Sequence, residues 1–342
     1  MKHFFITAFL SLMFVIPAGA AFQWGVNGHP NVQVGYRDIP ITVQLDMVKA
    51  SGMKWYRSDW GENVIRKDPK SFDRLVYEAK IRGIKILPIL IPTEVSSRSD
   101  ATPEQIQKSS EAFARWAATR YKGKITHWEL SNELDLYAMI RKGETDRNGK
   151  LWEWGDGDGN VPEQFEETRY AKVRAELAGL AKGIKAVNPK ALTIIDSGGW
   201  LHYGFFERLV NEDKVPFDIL GWHWYSEMGD MTKVRGNFNV LEKLKSYGKP
   251  IWITEIDRRG GSMGGNEAEQ ASYMTGVARQ MMSYPGVQAL FVYELFDEPY
   301  FGADNPESHF GMIEIVMGDD GKWKVGKKKP VFDAMRKVIK GR

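Results

Sequence analysis

The stretch Ile125-Thr-His-Trp-Glu-Leu-Ser-Asn-Glu133 begins as a short, β-rich apolar run and ends on an amide and a carboxylate. Segments of helical period flank it at residues 102–121 and 163–187, so the spacing predicts a buried strand over residues 125–130 between two helices. The same unit recurs outward in both directions. Upstream, strand-like runs lie at residues 22–26, 54–57 and 85–90, and downstream at 192–195, 219–224, 251–254 and 290–293. Amphipathic segments at 38–51, 69–82, 204–211, 238–247 and 267–283 fill the remaining gaps, and 330–339 closes the chain. Eight strands alternating with helices predict an α/β fold of the (β/α)8 TIM-barrel type, in a single domain over residues 21–342. A doubly wound open sheet is the rival, but no Gly-x-Gly-x-x-Gly opens a helix after a strand.

Composition narrows the chemistry. The 342 residues carry 47 Lys and Arg against 44 Asp and Glu, with no basic arm or stripe, so a nucleic-acid partner is not expected. There is no cysteine, which excludes thiolate nucleophiles, disulfides and Cys-ligated metals. The 6 histidines, at positions 3, 29, 127, 202, 223 and 309, form no His-x-His or His-Glu-x-x-His pair, so a metal-dependent hydrolase is not indicated. Residues 1–20 read as a secretory signal: a lysine, an apolar run from Phe4 to Ile16, and Ala18 and Ala20 in a small-x-small cleavage pattern. Export to the periplasm or medium, no stable membrane insertion and a monomeric state are the expectations. The stretch from Leu134 to Asn160 is an insertion whose Asp, Asn and Gly residues read as turns in preference to a calcium loop. Residues 322–329, rich in lysine, read as a solvated edge.

In a barrel of this type the reactive groups cluster at the C-terminal strand ends. Those ends carry His29, Arg57 with Asp59, Asn132 with Glu133, Asp196, His223 with Tyr225, Glu255 with Asp257, and Asp297 with Glu298. Glu133 and Glu255 close the fourth and seventh strands, on opposite sides of the barrel mouth. Two carboxyl groups facing each other across a cleft suit glycoside hydrolysis, one protonating the leaving oxygen and the other attacking the anomeric carbon. Arg57 and Tyr225 would hold Glu255 ionised, and Asn132 offers an amide to a sugar 2-hydroxyl. Such a reaction calls for no metal or organic cofactor. Of the 12 tryptophans, Trp222, Trp224 and Trp252 read as packing beneath helices, whereas Trp60, Trp152, Trp154 and Trp200 are either core or flat platforms for a sugar ring.

The motifs Trp128-Glu-Leu-Ser-Asn-Glu133, His223-Trp-Tyr225 and Trp252-Ile-Thr-Glu255 resemble those of the retaining (β/α)8 glycoside hydrolases of clan A. Within the clan the chain is most similar to glycoside hydrolase family 39, in particular its bacterial exopolysaccharide endoglycosidase branch. The resemblance implies Glu133 as acid/base, Glu255 as nucleophile, Arg57 and Tyr225 as supports of the nucleophile, and Asn132 and His223 as contacts of the sugar at the cleavage point. Tyr293 stands where relatives often place a tryptophan under that sugar, and Leu134 replaces the usual proline after the Asn-Glu pair. The expected activity is endo-cleavage of a poly- or oligosaccharide by double displacement. An exo-acting β-xylosidase-like enzyme and a barrel that binds carbohydrate without cleaving it are the alternatives, although the intact glutamate pair argues against the latter.

Overall fold

The computed structural model describes residues 21–341, so the expected signal at residues 1–20 lies outside the described residues. Eight parallel strands close into a barrel in sequence order: β1 Gln23–Asn27, β2 Trp55–Gly61, β3 Lys85–Ile91, β4 His127–Leu130, β5 Leu192–Ile195, β6 Ile219–Tyr225, β7 Ile251–Asp257 and β8 Val287–Val292. β8 pairs back onto β1 through Gln23–Ala289 to Val26–Val292. Helices Ile41–Ser51, Pro69–Ile81, Pro103–Arg120, Glu167–Val187 and Glu267–Ser283 pack around the outside. Two of them begin as their sequences dictate. Asp68 accepts the Ser71 N–H ahead of Pro69, and Thr102 with Gln105 forms a reciprocal capping box ahead of Pro103.

The barrel interior has two storeys. The lower one is apolar: Trp55, Leu87, Ile194, Ile219, Trp252, Ala289 and Phe291 form a separate buried cluster. Trp252 meets the Trp55 ring at 5.3 Å within this plug, so it fills the barrel and does not pack beneath a helix as expected. Trp222 and Trp224 do lie on the helix side, Trp222 against Phe206 at 6.1 Å. Trp60 requires a correction. Arg57 and Asp59 point inward, and strand alternation sends Trp60 outward. It is fully buried against Phe72, Tyr121 and Trp128 and lines no part of the cleft.

One irregularity decides where the seventh strand aims its carboxylate. With Trp252 inside the barrel, strict alternation would place Thr254 inside and Glu255 outside. The register of β7 shifts: Trp222 pairs with Ile253 and His223 with Glu255, so Thr254 is an extra residue. This bulge turns Glu255 into the barrel. The Thr254 carbonyl freed by the shift accepts from Asn27 Nδ2 at 3.0 Å, from across the barrel at the end of β1.

A hairpin of β9 Ile313–Met317 and β10 Trp323–Lys328 follows the barrel, leading into the helix Pro330–Ile339. The lysine-rich segment is therefore a strand with a buried end. Lys329 is 2% exposed and donates to Asp297 Oδ1 at 2.6 Å, Ser262 Oγ at 2.7 Å and the His309 carbonyl at 3.0 Å. In the inserted stretch, Asp146 Oδ1 accepts the N–H groups of Asn148 and Lys150, and Asp158 pairs with Arg235, so these oxygens serve turns and an ion pair. Among the described residues no helix is long and apolar enough to cross a membrane.

Candidate active site

The polar upper storey of the barrel is organised by Arg57, 2% exposed at the mouth of β2. Its Nε donates to Glu129 at 2.5 Å, its Nη1 to Glu255 Oε1 at 2.6 Å and to Asn27 Oδ1 at 2.7 Å, and its Nη2 to Asn132 Oδ1 at 2.7 Å and Asp196 Oδ2 at 3.1 Å. The planar five-donor guanidinium suits this work because it fixes residues from β1, β4, β5 and β7 in one geometry. Tyr225 donates to the other oxygen of Glu255, at 2.8 Å. Both oxygens of that carboxylate are thus held by donors, one of them charged, as the sequence led us to expect.

Glu133 sits across from Glu255. One carboxylate oxygen of each, with a ring nitrogen of His223, lies within 4.8 Å of the others. The backbone reaches this position through two left-handed residues, Ser131 (φ 63°) and Glu133 (φ 48°). Burial pushes the Glu133 carboxyl up, and Glu255 adds to the rise against the opposing pull of His223. The neighbouring Glu255 is thus the lesser cause of the rise. His223 has no exposed surface and lies beneath the cleft. Its Nδ1 is 2.7 Å from Glu133 Oε1 and its Nε2 3.5 Å from Asp196 Oδ2. Burial disfavours the imidazolium, yet Glu255, Asp196 and Glu133 together raise its pKa well above 6.5.

The cavity above the two glutamates has a volume of about 370 Å³ and is walled by His29, Asp59, Asn132, Tyr293, Glu307 and Phe310, among others. His29 pairs with Asp59, and this contact outweighs the burial that opposes the charged ring, taking its pKa to about 9. Tyr293 donates to Glu307 Oε2 at 2.9 Å. Asp59, Asn132 and Glu133 also line a second cavity, of about 490 Å³, between the loops after β3 and β4. A third, of about 500 Å³, shares only Leu136 with it. Trp200, 45% exposed and left-handed at φ 49°, lines the third and not the cavity above the glutamates.

Sequence reading missed several of these groups. Glu129 lies between Trp128 and Leu130, which pack into the core outside the barrel, so alternation alone could have found it. Burial takes its carboxyl up to about 8 despite Arg57. Glu307 and Phe310 belong to the connection between β8 and β9, where no periodicity marks them. Among the described residues, three side-chain sets have ligand atoms close enough to share a cation: His29 with Glu294 and Glu298, Glu129 with Asp196 and His223, and Glu133 with His223 and Glu255. In the last two, Arg57 and His223 already stand opposite the carboxylates.

Comparison with known proteins agrees with this geometry. Residues 169–308 match the glycosyl hydrolase catalytic core. The barrel superposes on the family 1 β-glucosidase of Thermotoga maritima with a TM-score of 0.66, covering 94% of this chain and 98% of that one at 13% identity. Its complex with deoxynojirimycin gives a TM-score of 0.67 over 93% of this chain and 97% of that one, also at 13% identity. These likenesses show the fold. In sequence, the chain is 23% identical over 258 residues to anti-sigma-I factor RsgI6 of Acetivibrio thermocellus, covering 72% of this chain and 29% of that protein. It is 24% identical over 237 residues to endo-1,4-beta-xylanase C of Paenibacillus barcinonensis, covering 65% of this chain and 19% of that one. The chain thus spans less than a third of the length of either relative.

Proposed function

We propose that this protein is an exported, retaining, endo-acting β-glycosidase of clan A, with family 39 character, that cleaves a polysaccharide of the bacterial exopolysaccharide class. The observation that carries the reading is the pair Glu133 and Glu255, whose facing oxygens lie within 4.8 Å at the barrel mouth. Retaining enzymes hold their carboxyl groups about 5–5.5 Å apart, whereas inverting enzymes need a wider gap to seat a water. Glu133, whose carboxyl burial shifts toward its protonated form, gives its proton to the glycosidic oxygen as Glu255 attacks the anomeric carbon and forms a glycosyl ester. The departing sugar leaves as an alcohol. Glu133, now a carboxylate, takes a proton from water, whose oxygen displaces Glu255 and releases the second sugar with its configuration kept. Arg57 and Tyr225 orient Glu255 through both oxygens.

Endo action is supported by a second cavity that shares Asp59, Asn132 and Glu133 with the one above the glutamates, which offers room for sugars beyond the one being cleaved. Export is supported by the composition of residues 1–20. A 2,4-dinitrophenyl 2-deoxy-2-fluoro-β-glycoside should label Glu255, read by peptide mass spectrometry. Digests of xylan, glucans, mannans and bacterial exopolysaccharides should yield mixed oligosaccharides of retained anomeric configuration. Labelling at another residue, or an inverted first product by NMR, would overturn the mechanism.

A further inference from the structure

Asp196, the residue after β5, is 2% exposed, and its carboxylate reaches Glu133 directly through one oxygen and by way of His223 through the other. Oδ1 accepts the backbone N–H of Glu133 at 2.8 Å. Oδ2 lies 3.5 Å from Nε2 of His223, whose Nδ1 is 2.7 Å from Glu133 Oε1. Arg57 Nη2 holds Oδ2 in turn, at 3.1 Å.

The backbone contact bears on strain. Glu133 stands at φ 48° and ψ 42°, a conformation that costs a side-chain-bearing residue about 1–2 kcal/mol and persists only where surrounding groups over-determine it. Glu133 N–H has no helical or strand partner to receive it, and the Asp196 carboxylate does so. The side-chain contact bears on where the acidic proton sits. Nε2 faces Asp196 Oδ2 at 3.5 Å and Arg57 Nη2 at 3.4 Å, and whether it donates to the first or accepts from the second, the ring keeps its Nδ1–H to donate to Glu133 Oε1. That oxygen is thereby the carbonyl oxygen of the neutral acid, and Oε2 carries the proton.

We propose that Asp196 is the positioning residue of the acid/base: it locks the left-handed backbone of Glu133 and, through His223, directs the acidic proton to Oε2, facing the glycosidic oxygen. The proposal rests on the glycosidase reading above. It assigns Asp196 no contact with substrate, and its effect should appear only where a proton must reach the leaving group.

The test compares phenyl and 2,4-dinitrophenyl β-glucosides, xylosides and cellobiosides, because dinitrophenolate departs without protonation and phenolate does not. Asp196→Ala should lower kcat/KM about 100-fold on the phenyl substrates, the size expected for a misplaced general acid, and less than about fivefold on the dinitrophenyl ones. Asp196→Asn keeps an oxygen for the Glu133 N–H and should recover at least about tenfold of the phenyl loss. Added to Glu133→Ala, the Asp196→Ala change should cost little more, since both act on one proton transfer. If Glu133→Ala shows the leaving-group split while Asp196→Ala slows both substrate classes equally, the positioning role is overturned and the glycosidase reading stands. If Glu133→Ala itself shows no split, or the unaltered protein hydrolyses none of the glycosides, the glycosidase reading falls and takes this role with it.

Discussion

Replacing Arg57 with methionine would remove the cation that three buried carboxyl groups face, those of Asp196 and Glu255 and the largely neutral one of Glu129. In the folded protein Arg57 bonds Glu129, Glu255 and Asp196 within 3.1 Å and is itself 2% exposed. Breaking a buried ion pair by deleting one partner costs about 3–5 kcal/mol, because the other charge stays behind. A melt followed by tryptophan fluorescence should drop by about 4–7 °C at pH 7. The loss should shrink in acid. Burial works to raise the Asp196 carboxyl, yet His223 and Arg57 outweigh it and hold the group below its ordinary 3.8. Such a depressed acid contributes stability above its unfolded value and loses that contribution as pH falls. The variant's Asp196, lacking Arg57, takes up a proton sooner, so the two proteins converge toward pH 4. Activity should fall as well, since charge-assisted bonds to Glu255 and Asn132 are each worth about 1.5–3 kcal/mol, together about 10²–10⁴-fold in kcat/KM. Arg57→Lys should restore part of the stability and little of the activity, for one ammonium cannot reach all of these acceptors. A deficit below about 1 kcal/mol at pH 7, or one that grows toward pH 5, would refute this account of the site.

Four further outcomes follow from particular contacts. Trp60→Ala should destabilise by about 3–5 kcal/mol while kcat/KM measured well below the melting point stays within twofold, because the ring is core. Lys329→Met should cost about 3 kcal/mol by stranding Asp297, and Asp297→Leu in the same chain should recover part of it, both read from thermal melts. For His29, whose pKa rises from 6.5 to about 9 beside Asp59, the stabilisation is complete below pH 6.5 and lost as pH passes 9. His29→Gln should therefore melt lower than the unaltered protein at pH 6, by up to about 3 kcal/mol, with the gap closing by pH 9.5. Trp200→Gly should raise KM at least about fivefold on polysaccharide and leave short aryl glycosides unaffected. Stability should hold or improve, because glycine adopts the left-handed backbone without strain.

Much of this architecture is legible in one dimension. Eight apolar runs alternating with helical segments leave few options other than a parallel barrel, since strands buried on both faces and joined by helical crossovers must lie side by side. Such a barrel gathers its strand ends, and that alone was enough to nominate Arg57, Glu133, Tyr225 and Glu255. Three features required the folded chain. Glu255 faces inward because Thr254 is accommodated as a bulge, with Asn27 of β1 bonding its carbonyl from 227 positions away in sequence. Glu133 reaches the cleft through a left-handed backbone anchored by Asp196 of the next strand. Lys329, in a run that reads as solvated, is buried because Asp297, Ser262 and His309 converge on it from two other loops. Periodicity registers the neighbours of a residue along its own strand or helix. A bulge, a strained residue and a buried charge are each stabilised by partners distant in sequence, and only the closed barrel brings those partners into contact.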